Sequence, residues 1–168
     1  MTPRVSIIMG STSDLPVLEK AAAFLDEMEI PFEMNALSAH RTPEMVEKFA
    51  REAESRGIRV IIAAAGMAAA LPGVIAANTV LPVIGVPVKG MLDGLDAMFS
   101  IIQMPPGIPV ATVGVNAALN AAILAAQILA QSDKEIARKV VDYKEGLKNK
   151  IVKANEELKQ VQFKFKVD

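Results

Sequence analysis

The 168-residue sequence contains no cysteine, no tryptophan, one tyrosine and a single histidine. Without cysteine there is neither a disulfide framework nor a thiolate metal site. One histidine also excludes a multi-histidine metal centre. Aromatic residues make up only 4% of the chain. The core must therefore be built from small aliphatic side chains, which suits helices packed closely on both faces of a parallel sheet. A net charge of −1 lacks the basic surplus of a nucleic-acid binder, whereas a small phosphorylated ligand needs only local positive potential. Long apolar runs are missing too. The most apolar stretch, residues 60–88, is broken by Gly66, Pro72, Gly73, Asn78 and Pro82, which argues against a membrane span. Residues 1–9 read as a strand rather than a signal peptide. The expectation is a cytoplasmic protein with neither membrane nor nucleic acid among its partners.

What is present is regular alternation. Val5-Ser6-Ile7-Ile8-Met9 is an apolar run ending at Gly10, as a buried parallel strand should be. Leu18, Ala21, Ala22, Leu25 and Met28 follow at helical spacing. A second strand is expected over 31–37. A helix then opens with Thr42 as N-cap and Pro43 in its first turn, with Met45, Phe49 and Ala53 as its apolar stripe. Gly57 ends that helix, and strands are expected over 60–64, 81–86 and 109–115. Helices are expected over 72–78, 92–103 and 117–130, the last apolar almost all round and so buried on most sides. Asp133 caps a charged helix reaching about residue 157. The tail alternates Val161, Phe163, Phe165 and Val167 with polar residues, a pattern that fits either a strand or an arm docked on a neighbouring subunit. Strands and helices alternate with short connections and no linker is visible. The chain reads as one domain over 1–168, with a C-terminal arm over 158–168. Its fold class is α/β: a three-layer α/β/α, flavodoxin-like, doubly wound parallel sheet of five strands.

In such sheets ligands bind beyond the carboxyl ends of the strands. Three segments fall there. The first, Gly10-Ser11-Thr12-Ser13-Asp14, opens a helix whose free N–H groups and dipole favour an anion. Gly10 permits close backbone approach, the Ser11 and Ser13 hydroxyls can donate to phosphate, and Asp14 can accept from ribose hydroxyls. The same residues also fit a plain helix cap, with Ser13 or Asp14 serving the first turn. The second, Ser38-Ala39-His40-Arg41-Thr42-Pro43, sets the only histidine beside an arginine. Arg41 can pair bidentately with phosphate, and His40 can relay a proton near neutral pH. No partner residues for a nucleophilic triad accompany it. The third, residues 65–73, offers backbone groups but no side-chain chemistry.

The first two segments, together with Leu71-Pro72-Gly73, Leu81-Pro82-Val83-Ile84-Gly85-Val86-Pro87-Val88 and Ser100-Ile101-Ile102-Gln103-Met104-Pro105, resemble the signature of the class I N5-carboxyaminoimidazole ribonucleotide mutases (PurE). The likeness continues through Gly107-Ile108-Pro109-Val110-Ala111-Thr112 and Asn120-Ala121-Ala122-Ile123-Leu124-Ala125-Ala126-Gln127, and so covers nearly the whole chain. It implies a homo-octamer with active sites at subunit junctions. It implies a cofactor-free isomerisation in purine biosynthesis that moves a carboxylate from the exocyclic nitrogen of an imidazole ribonucleotide to ring carbon C4. Carried over by position, His40 is the general acid/base. Ser11, Asp14 and Arg41 bind the ribonucleotide, Ser38 and Ala39 line the site, and Gly10 and Leu71 complete the binding set.

The third loop departs from the family's Ala-Gly-Ala-Gly-Gly-Ala-Ala-His. Ala64 and Met67 stand for two of its glycines, and Ala70 for the histidine. Ala64 is expected to resist a glycine-only φ, Met67 to crowd the pocket, and Ala70 to leave it without a second imidazole. The expectation is a mutase with weakened activity. The alternative is a catalytically impaired or engineered oligomeric scaffold that keeps the family's assembly without its chemistry.

Overall fold

A computed structural model describes residues 1–167. Five strands form one sheet: β1 (Val5–Met9), β2 (Phe32–Ala36), β3 (Val60–Ala65), β4 (Val83–Pro87) and β5 (Ala111–Thr112). Their order is β2-β1-β3-β4-β5 and every pairing is parallel, the doubly wound flavodoxin-like arrangement. The helices are α1 (Leu15–Glu27), α2 (Pro43–Glu52), α3 (Leu71–Ala77), α4 (Leu95–Ile102), α5 (Ala118–Ala130) and α6 (Lys134–Lys159). One face of the sheet, through Val60, Ile62 and Ala64, packs on α1 and α5, and α6 closes that core from outside α5. The other face uses Ile61, Ala63 and Ala65, against α2, α3 and α4. Successive β3 side chains thus serve opposite cores, which is why that strand is apolar at every position.

Several boundaries differ from those expected. β5 is only two residues long, and α4 begins at Leu95 because Leu92, Asp93 and Gly94 all take left-handed φ and so cannot be helical. In α2 the buried stripe is Val46, Phe49 and Ala50, while Met45 is exposed. Ala64 sits inside β3 with ordinary strand geometry, so no glycine conformation is required there. Gly85 in β4 is required for a different reason: a Cβ there would stand 2.5 Å from a methyl of Ile101 on α4. Among the described residues the tail forms no strand. α6 runs to Lys159, residues 160–167 are exposed, and the last residue of the expected arm, Asp168, lies outside the described residues. No helix among the described residues is long and apolar enough to cross a membrane.

Candidate functional site

Register sets the site. Met9 pairs with both Ala36 and Ala64, so three adjacent strands end level and their following loops leave the sheet side by side. The chain winds from β1 outward to β2 on one side and from β3 outward to β4 on the other. The gap between these two directions is the topological switch point, where such sheets hold ligands.

A cleft of about 470 Å³ opens there, lined by Gly10, Ser11, Asp14, Ser38, Ala39, His40, Arg41 and Leu71. All eight residues singled out in the sequence thus meet in one place. Ser13, Ala65, Gly66, Met67, Ala69 and Ala70 complete its walls. Two larger grooves, of about 720 and 740 Å³, lie elsewhere: one between α1 and α6, the other near the amino ends of β1 and β2. Both are remote from the carboxyl ends of the strands.

In the loop after β1, the chain makes a 3-10 turn over Thr12–Asp14 before α1. Ser11 caps this turn, its hydroxyl accepting from the Ser13 N–H at 3.3 Å. The capping role therefore falls to Ser11, while Asp14 makes no side-chain cap to α1. Its carboxylate is left for other partners. Burial pushes the Asp14 carboxyl above its ordinary range, against opposing hydrogen bonds from the Ser13 hydroxyl and the Ser11 backbone.

The loop after β2 is tied to the first by Arg41. Its Nη2 donates to the Gly10 carbonyl at 2.7 Å and its Nε to Ser38 Oγ at 3.3 Å. The guanidinium is exposed, and with five donors in all it keeps N–H groups for an anion. His40 is exposed at the tip of this loop, and its ring makes no hydrogen bond within the described residues. Thr42 precedes α2 as expected, yet its hydroxyl does not cap that helix.

The loop after β3 contrasts with both. Met67 has φ +53° and Ala69 φ +33°, left-handed values that a side chain resists. Met67 is 66% exposed, so it rims the cleft without filling it. Ala70 stands at the start of α3 with no side-chain cap. No group of three or more acidic or histidine side chains able to hold a metal ion occurs among the described residues.

Comparison with known proteins points to one family. The family model described as AIR carboxylase matches residues 4–150. The N5-carboxyaminoimidazole ribonucleotide mutase of Thermotoga maritima is 56% identical over 163 residues, spanning 96% of this chain and 95% of that protein. The Pyrococcus abyssi protein of the same name is 58% identical over 147 residues, spanning 87% of this chain and 84% of its own length. Among solved structures, Treponema denticola PurE superimposes with a TM-score of 0.85 at 36% identity, covering 94% of this chain and 99% of that one.

Proposed function

The chain belongs to the AIR carboxylase family, and on that premise we propose that it is an N5-carboxyaminoimidazole ribonucleotide mutase of purine biosynthesis. The observation that carries the reading is the meeting of the only histidine with Arg41 and the Ser11–Asp14 turn in one cleft.

Ser11 and Arg41 hold the phosphate, with Arg41 supplying charge-assisted donors. Asp14 accepts from the ribose hydroxyls, and its partly buried carboxylate gains by finding a donor there. Gly10, Ser38, Ala39 and Leu71 shape the floor and sides. The heterocycle then lies toward His40 and the third loop. Transfer breaks the bond between the exocyclic nitrogen and the carboxylate, and that nitrogen gains a proton as CO2 leaves. CO2 then bonds to C4, and C4 gives up its own proton. One imidazole can give the first proton and take the second, so the isomerisation consumes nothing and needs no cofactor.

Two features support a rate below that of the enzymes the chain resembles. Ala70 supplies no imidazole where the family pattern has one, and Met67 sets an exposed thioether at the mouth where the pattern has a glycine. The assembly is read as a homo-octamer. The apolar side chains that α4 exposes at Leu95, Phe99 and Ile102, and α6 at Leu147, Ile151 and Leu158, support burial against other copies.

The test is turnover of N5-carboxyaminoimidazole ribonucleotide by the purified protein, beside its His40→Asn and Ala70→His variants, with solution mass recorded. The wild type should produce the C4-carboxylated isomer. His40→Asn should lose about 10²–10⁴ in rate while still binding nucleotide, and Ala70→His should run faster than wild type. Nucleotide binding with no turnover would leave the scaffold reading in its place.

A further inference from the structure

Thr42 occupies the N-cap position of α2, where a threonine hydroxyl usually accepts a hydrogen bond from the first helical turn. It does not do so here. Instead its Oγ1 accepts from the Ser38 N–H at 3.0 Å and donates to the Ser38 carbonyl at 3.1 Å. The Thr42 N–H donates to that same carbonyl at 2.8 Å. The hydroxyl oxygen thus faces the loop, accepting from the Ser38 N–H rather than from the first turn of α2. The cap's contribution to α2, worth about 1 kcal/mol where it is made, is thereby forgone.

These bonds close a small ring of backbone from Ser38 to Thr42 with His40 inside it. The two functional residues within the ring are held differently. Arg41 has anchors of its own: its N–H and Nε both donate to Ser38 Oγ, at 3.2 and 3.3 Å, and its Nη2 to the Gly10 carbonyl. The His40 side chain has none, so its location follows the backbone of the ring.

We infer that Thr42 is a positioning residue for His40, its hydroxyl diverted from capping α2 to clasping Ser38 so that the loop presents the imidazole in one place. The inference rests on the proposed role of His40 as proton carrier. It separates chemistry from binding: loss of the Thr42 hydroxyl loosens His40, while Arg41 keeps its grip on the first loop.

The experiment compares Thr42→Val with Thr42→Ser in the full-length protein, using Thr42→Ala as well should the valine variant fold poorly. Valine is nearly isosteric and removes both hydroxyl bonds; serine retains them. Valine should lower kcat about tenfold to a hundredfold, the scale of effect that a small misplacement of a reacting group produces. KM should stay near wild type, and serine should restore kcat. A merely structural role would lower Tm and leave the kcat of the folded protein unchanged, and that outcome overturns the inference, as does a rise in KM with kcat intact. The second readout is independent of turnover. Because the chain has one histidine, isotope-labelled histidine gives one set of imidazole resonances, all of them His40, of which the Cε1–H resonance is followed. It should shift and sharpen with added mobility in the valine variant and return in the serine variant. An unchanged resonance overturns the inference. A wild type without turnover defeats the mutase reading instead, and the resonance still decides the role of Thr42.

Discussion

The loops after β1 and β2 are laced together by side chains. Ser11 serves the Ser13 N–H, Arg41 spans to Gly10 and Ser38, and Thr42 clasps Ser38. Across the same cleft, the loop after β3 has only alanine, glycine and methionine over residues 66–70, and its hydrogen bonds run between backbone groups. Its shape comes from the ends: Ala65 still pairs in the sheet, Leu71 is buried as the first residue of α3, and the chain between them must turn sharply. That turn forces left-handed φ on two residues with side chains. One wall therefore carries its chemistry on a polar network that also fixes its geometry. The other carries strain and offers no functional group. The difference teaches that two laced loops can gather every polar side chain of a cleft while the third, at the same end of the sheet, gives it only shape.

The contrast can be broken most forcefully at Arg41. Arg41→Met removes both the tie between the polar loops and the main cation of the cleft. Hydrogen bonds to charged groups contribute about 1.5–3 kcal/mol. AMP affinity measured by calorimetry should therefore fall roughly tenfold to a hundredfold. Unchanged affinity would mean that the polar wall is structural only. The strained wall is probed by Met67→Gly. Relief of the left-handed conformation returns about 1–2 kcal/mol. The greater unfolded-chain entropy of glycine takes back about 0.4–1. A net rise in Tm of about 1–3 °C should remain for a chain of this size; a fall would show that the loop is not strained at this position.

Asp14→Asn gives the smallest stability effect and sharpens the contrast from the polar side. Burial raises the folded pKa of Asp14, so its favourable contribution is complete below the ordinary value near 3.8 and is lost as pH rises through the raised one. At neutral pH the ionised, partly desolvated carboxylate opposes folding. The asparagine variant should melt higher than wild type at pH 7, by a margin that closes in acid, while binding nucleotide less well. Equal melting at both pH values would deny that burial governs this group. Such a residue, weakening the fold while facing a cleft, is what a binding role would select.

Much of this was legible in the sequence. The short apolar runs of β1, β3 and β4 marked the strands of a buried parallel sheet, because both faces of those three are covered. Ser38 through Pro43 announced a site because histidine and arginine occur together just past a strand end. Other features were not legible. Met45 and Val46 both fit a helical stripe, and only packing against the sheet chose Val46 for the interior. Pattern alone extended β5 across seven residues, although just two keep strand pairing in register with β4. The capping rule assigned Thr42 to α2, and the rule failed because Ser38 competes for the same hydroxyl at short range.

By itself the sequence determined the α/β alternation, the residues able to bind phosphate and carry a proton, and the family whose pattern they share. These depend on residue type and local spacing, which are written in the chain. Tertiary structure decided which loops meet. The level register of β1, β2 and β3 gathers segments some thirty residues apart into one cleft, as the parallel sheet requires of successive strand ends. It also decided the partners of each polar group, and so the difference between a threonine that caps a helix and one that holds a histidine in place.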